Sequence, residues 1–320
     1  MSTQSPRRLV YLSMEIALEN GIPTYSGGLG VLAGDTVRAA ADLSLPMVAV
    51  SLAHREGYFS QSLDEEGGQA EAPDPWDPAE RCKPVDAGIS VRLQGRDLRL
   101  QAWRYDVRGT RGGAVPVYLL DADVEGNHEE DRRLTDRLYG GDSRYRLCQE
   151  ALLGYGAVAL MAALGHARIH TWHMNEGHCA LTPLALLEDR VGEGGLSAAG
   201  PRQDASVRRR CVFTTHTPVP AGHDRFPADL VESVLGEDRA AAVRSRGTEP
   251  GGVLNMTLLG LHFARFVNGV AMRHARVSRE MFPGREVHAI TNGVHVGTWT
   301  APPMARLFDR HVPEWREDPL

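Results

Sequence analysis

Residues 8–50 read RLVYLSMEIALENGIPTYSGGLGVLAGDTVRAAADLSLPMVAV, and this stretch decides the fold. Arg8-Leu9-Val10-Tyr11-Leu12 is a short apolar run that predicts a strand. A polar loop with glycine and proline follows, from Glu19 to Ser26. From Gly27 to Leu45 the residues Leu29, Val31, Leu32, Val37 and Ala40 recur near the helical period, which predicts a helix. Pro46-Met47-Val48-Ala49-Val50 predicts a second strand. Strand, loop, helix and strand in that order imply parallel strands with helices on the faces of the sheet.

The same rhythm returns later in the chain. Gln61 to Pro78 is acidic and rich in glycine and proline, and is expected to be a surface loop. Ile89 to Val107 alternates apolar and polar residues around Gly95-Arg96, which predicts a hairpin insert. Val117 to Leu120 predicts a strand. Ser143 to Leu164 turns apolar nearly all round in its second half and predicts a buried helix. Arg168 to Trp172 predicts a strand leading into Asn175-Glu176-Gly177-His178 and a helix to Asp189. Gly192 to Ser206 is expected to be a flexible loop. Cys211 to Thr215 predicts a strand, Val253 to Met281 a long helix or helix pair, and Val287 to Ile290 a last strand. Four loops follow predicted strands: Tyr25 to Gly30, Asn175 to His178, Thr215 to Pro220 and Thr291 to Trp299. In a parallel sheet these loops meet at one edge, where such folds bind ligands.

Composition narrows the class. The 320 residues are 42% hydrophobic and 24% charged, enough for a buried core. No apolar run approaches the roughly 18 residues of a membrane span. The opening MSTQSPRRLVYL predicts no signal peptide. A net charge of −6 argues against a nucleic-acid partner. Cys82, Cys148, Cys179 and Cys211 have no metal-like spacing; three of them sit among apolar residues and are expected to be buried free thiols, in a reducing, cytoplasmic setting. Of 35 basic residues, Lys83 alone is lysine. Arginine forms no Schiff base, so any lysine chemistry must use Lys83 or come from elsewhere.

The motifs admit two readings each. Tyr25-Ser26-Gly27-Gly28-Leu29-Gly30 before a helix suits either an anion or a plain tight turn and helix cap. It is neither a P-loop nor a dinucleotide fingerprint. In Leu138-Tyr139-Gly140-Gly141-Asp142-Ser143, Asp142 or Ser143 serves as an N-cap, or the loop meets sugar hydroxyls. His170 to His178 lacks zinc-ligand spacing, so no metal is expected. Glu176 and His178 at a strand end suit a polar ligand better. His216 follows an apolar run, and His223-Asp224 reads as a surface pair. Asn292-Gly293 alone reads as a turn. No pair of carboxylates stands out as a hydrolase set.

A family resemblance runs through six segments in order. They are residues 11–52 (YLSMEIALENGIPTYSGGLGVLAGDTVRAAADLSLPMVAVSL), 136–150 (DRLYGGDSRYRLCQE) and 173–181 (HMNEGHCAL). The others are 212–226 (VFTTHTPVPAGHDRF), 267–284 (VNGVAMRHARVSREMFPG) and 288–299 (HAITNGVHVGTW). Together they resemble the N-terminal half of the bacterial type of α-glucan phosphorylase. The resemblance implies the GT-B architecture, with residues 1–300 as its Rossmann-like N-terminal domain and 301–320 as the start of a truncated interdomain segment. The C-terminal domain is expected to be absent. The implied activity moves the terminal glucose of glycogen, starch or maltodextrin to phosphate, giving glucose 1-phosphate with retained configuration.

The resemblance also implies residue roles. Gly27, Gly28 and Leu29 would present N–H groups to phosphate and sugar. Asp142 would sit in the loop that gates the site. Glu176 and His178 would line the sugar pocket. His216 would set its carbonyl near the anomeric centre, with Thr217 beside it. Asn292 would bind sugar, and Trp299 would lie near the cofactor. That cofactor is pyridoxal phosphate, and its Schiff-base lysine belongs to the second domain; Lys83 matches no cofactor position. The expected partners are an α-1,4-glucan, inorganic phosphate and a missing C-terminal half, with neither nucleic acid nor membrane. The isolated chain is expected to be inactive. Two alternatives stand beside this: a nucleotide-sugar glucosyltransferase of the starch-synthase kind, and a non-catalytic glucan-binding remnant. An exposed apolar face at the docking edge would favour a half-enzyme over a remnant.

Overall fold

The computed structural model describes residues 7–312 and 314–316. Strands β1 (Leu9–Ser13) and β2 (Met47–Leu52) flank α1 (Gly28–Asp42). The small hairpin β3 (Ser60–Leu63) and β4 (Gln69–Ala72) and the single turn α2 (Pro78–Arg81) follow. Next come β5 (Lys83–Leu93), β6 (Arg96–Arg108), β7 (Ala114–Asp121), α3 (Glu129–Arg132) and α4 (Ser143–Ala163). Then β8 (Thr171–Asn175), α5 (Thr182–Val191), α6 (Pro201–Arg208), β9 (Cys211–Thr215) and β10 (Arg225–Phe226). The chain continues through α7 (Ala228–Leu235), α8 (Glu237–Arg244), β11 (Leu254–Asn255) and α9 (Met256–Phe263). It closes with β12 (Phe266–Gly269), α10 (Met272–Met281), β13 (His288–Ala289), α11 (Val296–Trp299) and α12 (Pro302–His311).

Nine strands form one sheet in the order β13-β12-β9-β8-β1-β2-β7-β6-β5. The seven strands from β13 to β7 are parallel, and β6 alone runs against its neighbours. Side chains alternate across the sheet, so neighbouring residues enter different layers. Val10 and Leu12 enter the core under α4 and α5, whereas Tyr11 enters a second core under α1. Both faces are therefore buried, as parallel sheets require. After β1 the chain first builds β2 on one side and later β8 on the other. The carboxyl ends of β1 and β8 thus mark the topological switch point, where open α/β sheets hold ligands.

Several predicted elements change. The helix predicted to Leu45 ends at Asp42. The loop predicted at Gln61 to Pro78 carries the exposed β3–β4 hairpin. The flexible loop predicted at Gly192 to Ser206 contains the start of α6, where Pro201 opens the helix and Asp204 and Val207 are buried. The long helix predicted over Val253 to Met281 is interrupted by β12. Residues 266–269 pair with β9 on one side and β13 on the other, so sheet pairing overrides the continuous apolar run. In α4 the unbroken buried run is Leu147 to Ala157, and it includes the ionisable residue Glu150.

Candidate functional site

The turn after β1 builds the first wall. Glu15 lies in the apolar run Met14-Glu15-Ile16 and is 3% exposed. Its Oε2 accepts from the Ser26 N–H (2.7 Å) and the Gly27 N–H (3.2 Å). Its Oε1 accepts from the Tyr139 hydroxyl at 2.8 Å. Glu15 therefore folds the glycine loop back over the strand end. Gly30 must be glycine here, because a Cβ would lie 2.5 Å from the Tyr25 Cβ and 2.7 Å from Glu15 Oε2.

The first turn of α1 faces outward. The Gly27 N–H is engaged by Glu15, but the first-turn N–H groups of Gly28 and Leu29 have no intrahelical partner. Among the described residues no side chain caps them, and no acidic residue sits in that turn. A Cβ on Gly27 or Gly28 would meet nothing within 4 Å. The protein itself therefore leaves space in front of an uncapped helix N-terminus. Its partial positive charge favours an anion.

The ends of β8 and β9 build the second wall. Asn175 pairs with Ser13 across the β1–β8 register and donates to its hydroxyl at 3.2 Å. The Asn175 Oδ1 lies 2.6 Å from His216 Nε2. Glu176 adopts φ +77°, ψ 170°, a conformation that costs a non-glycine residue about 1–3 kcal/mol. Its carboxylate accounts for that strain. Oε1 accepts from the Gly177 N–H (2.9 Å), and Oε2 accepts from the His216 N–H (2.7 Å) and the Thr217 hydroxyl (3.0 Å). Glu176 thus fixes the backbone of residues 216–217, with both oxygens occupied. Burial holds the His216 imidazole below its usual pKa despite the Glu176 charge.

A polar cluster underlies this wall. His178 Nε2 lies 3.2 Å from Asp224 Oδ2, and Arg146 donates to both Asp224 oxygens at 3.0 Å. The Arg146 guanidinium also covers the Tyr139 ring at 4.8 Å. Burial alone would raise the Asp224 carboxyl. The His178 hydrogen bond and the charges of His178 and Arg146 outweigh it and bring the pKa down to about 2. One turn along α4 from Arg146, Glu150 is fully buried, and its only polar neighbour at hydrogen-bond range among the described residues is the Asp224 carboxylate, to which a protonated Glu150 donates. Burial, then the Asp224 charge, pushes its pKa well above the carboxylate range. A buried neutral acid beside a buried carboxylate is the arrangement that low dielectric favours.

The other sequence candidates fall as follows. Asp142 is the N-cap of α4, accepting from the Tyr145 N–H at 2.9 Å, and is exposed. Asn292 is exposed, with its backbone N–H donated to the Val270 carbonyl at 3.0 Å. Trp299 is 58% exposed, and its indole N–H donates to Asp35 at 2.7 Å beside α1. The expected surface pair His223-Asp224 is instead internal: His223 Nδ1 meets the Thr257 hydroxyl at 2.8 Å, and Asp224 joins the cluster above. Sequence reasoning missed Glu15, Asn175, Arg146 and Glu150. The available signal was a lone carboxylate inside an apolar run, true of both Glu15 and Glu150.

Exposed apolar side chains ring this edge. Tyr25 lies in the β1–α1 loop, Val219 after β9, Met272 (77% exposed) after β12, and Ile290 and Val294 (69%) after β13. Among the described residues, no group of three or more His, Cys, Asp or Glu side chains could hold a metal ion, and no helix is long and apolar enough to cross a membrane. All four cysteines are free and buried.

No family model matches the chain. Individual relatives do. The glycogen phosphorylase of Mycobacterium tuberculosis is 36% identical over 344 residues, covering 94% of this chain and 38% of the relative. The maltodextrin phosphorylase of Thermococcus litoralis is 37% identical over 332 residues, covering 97% of this chain and 38% of the relative. The glycogen phosphorylase of Aquifex aeolicus is 29% identical over 327 residues, covering 96% and 46%. The chain spans 38% of the length of the first two relatives. Over nearly its whole length, the chain is homologous to part of the glycogen and maltodextrin phosphorylases.

Proposed function

We propose that this chain supplies one wall of the catalytic cleft of an α-1,4-glucan phosphorylase. In this reading residues 1–300 are the Rossmann-like N-terminal domain of a GT-B enzyme, and residues 301–320 begin the interdomain segment. The complete enzyme transfers the terminal glucose of glycogen, starch or maltodextrin to phosphate, giving α-glucose 1-phosphate, and works in the cytoplasm. The observation that carries the reading is the uncapped first turn of α1, with open space at Gly27 and Gly28, beside the braced segment His216-Thr217.

Each part then has a task. The Gly28 and Leu29 N–H groups receive the substrate phosphate. Glu176 orients rather than transfers protons, since both its oxygens are engaged. By fixing residue 216 before substrate arrives, it holds the His216 carbonyl where positive charge develops at the anomeric carbon. His178 and Thr217 line the sugar pocket, Asn292 meets the sugar from the β13 side, and Asp142 sits on the gating loop. Trp299 stands where the cofactor-bearing domain closes. The exposed apolar rim supports a docking second domain, and argues against a free-standing remnant. Ser26 where starch-synthase-type transferases carry lysine argues against a nucleotide-sugar donor.

Pyridoxal phosphate enters this proposal as the cofactor of the second domain, where its phosphate supplies a proton relay. The residues present here do not fit its covalent anchor. The sole lysine, Lys83, opens β5 and faces a cleft with Arg38 and Asp42 at the far end of α1. No step is routed through the cofactor here.

The test is phosphorolysis of maltoheptaose with pyridoxal phosphate added, read as glucose 1-phosphate. The folded chain alone is expected to give no product. Fused to the remainder of the Thermococcus litoralis enzyme in place of its matching segment, it is expected to give product. Product from the chain alone, or a folded, cofactor-bound fusion that stays inert, would overturn the proposal.

A further inference from the structure

A second cleft lies at the opposite end of α1 from the glycine loop, which is about 20 Å away along a helix of this length. It has a volume of about 660 Å³ and is walled by the last turns of α1, the β5–β6 hairpin and the segment that opens α11. Its lining is strongly basic. Among the described residues six cationic side chains face it against two carboxylates, and four of the six (Arg38, Arg81, Arg104 and Arg316) pair with Asp35, Glu19, Asp106 and Asp309, which leaves Lys83 and Arg108.

Both carboxylates are already answered. Asp42 accepts from the Thr110 N–H (2.7 Å) and hydroxyl (3.0 Å), and lies 2.8 Å from His295 Nε2. Burial would raise its pKa, but these bonds lower it on balance, so it stays ionised. Asp106 accepts from Arg104 at 2.8 Å. The cations are not all answered. Arg38 donates to the Ala17 and Leu18 carbonyls and pairs with Asp35 at 3.4 Å, so it is answered too. The side chains of Lys83 and Arg108 are exposed and have neither an ion pair nor a hydrogen bond among the described residues. A concave surface with cations in excess and its acids satisfied is built to attract anions.

We propose that this cleft binds a small molecule carrying at least two anionic groups, phosphate or carboxylate, with Lys83 and Arg108 as its main contacts. The two unpaired cations stand on different strands, Lys83 opening β5 and Arg108 closing β6, which calls for more than one anionic group. The volume lies within the range of small-ligand sites. The site is separate from the phosphate position proposed at Gly28, and it stands whether or not that proposal holds.

The test uses the whole chain at low salt, with inorganic pyrophosphate and citrate as probes in calorimetric titration. At least one probe is expected to bind, with affinity falling as salt rises. The doubly reversed variant Lys83→Glu/Arg108→Glu is expected to weaken binding on the order of tenfold or more while melting normally, since both side chains are exposed. Gly28→Val, which fills the other site, is expected to leave this binding unchanged. A second readout is available because Lys83 is the only lysine. Its acetylation by acetic anhydride, followed by peptide mass spectrometry, is expected to slow several-fold when the probe is bound. Tighter binding of pyrophosphate would identify phosphate as the preferred group, and tighter binding of citrate carboxylate; either supports the site. Failure of both probes to bind, undiminished affinity in the double variant, or unprotected Lys83 would overturn it.

Discussion

The substitution Glu150→Gln tests the polar cluster beneath the site. Glu150 is fully buried against the Asp224 carboxylate, and burial first, then that charge and hydrogen bond, raise its pKa well above the ordinary value of 4.5. A carboxyl whose folded pKa is raised gives stability that is complete below the unfolded value and is lost as pH rises towards the folded value. Over that window wild-type chain loses about 1.4 kcal/mol per pH unit relative to a variant that cannot ionise. Glutamine is close in shape and carries no charge. The gap between variant and wild type is therefore expected to widen with pH from about 5 upward at that slope. Asp224, held down to about 2, is ionised throughout and adds no slope there. His54 and His173, both lowered to about 4 by burial, and Asp136, raised to about 6, contribute equally to both proteins and cancel in the difference. The assay is urea unfolding followed by tryptophan fluorescence at half-unit steps from pH 5 to 8. Parallel curves for the two proteins would refute the reasoning, because they would mean that Glu150 titrates as a solvated or ion-paired acid.

Three further outcomes follow from the same geometry. Glu176→Gln removes a charged acceptor from the His216 N–H and Thr217 hydroxyl, and is expected to cost about 1.5–3 kcal/mol in urea unfolding; an unchanged midpoint would show that the 216–217 segment is held by other contacts. Gly30→Ala drives a Cβ onto Tyr25 and Glu15 and is expected to cost about 1–3 kcal/mol, whereas Gly28→Ala, with nothing in reach, is expected to cost less than about 1 kcal/mol; equal losses would count against the packing of the loop on Glu15. Burial lifts Cys82, Cys148 and Cys211 to about 12 and Cys179 well above its usual value, so native protein is expected to react negligibly with a thiol reagent at pH 8 and unfolded protein at all four positions; rapid labelling of the native chain would show that a thiol is open to solvent.

Much of the site's scaffold was readable before the structure. Local patterns carried it: the apolar run at Leu9 to Leu12, the helical period after Gly27, and the strand Cys211 to Thr215 all depend on neighbouring residues. The loops at residues 25–30, 175–178 and 215–220 were placed by strand ends alone, because parallel strands share one carboxyl edge. What stayed hidden depends on long-range contacts. Nothing near Glu15 in sequence says that its carboxylate takes the Ser26 and Gly27 N–H groups, or that Tyr139 closes its other side. Residues 266–269 are surrounded by helix-like apolar residues, and only pairing with β9 and β13 makes them a strand. Asp224 looked like surface because its partners, Arg146 and His178, are far away in the chain. The role expected of Gly27 also needs the structure: its N–H is engaged inside the protein, and the open donors are those of the next two residues, Gly28 and Leu29.

The account rests most heavily on the uncapped start of α1 as the phosphate position of a glucan site. The direct measurement is backbone amide chemical shifts of the labelled chain during titration with glucose 1-phosphate. Saturable shifts centred on Gly28 and Leu29, with smaller ones at residues 176–178 and 216–217, are the predicted result. Saturation with those amides unmoved would contradict it.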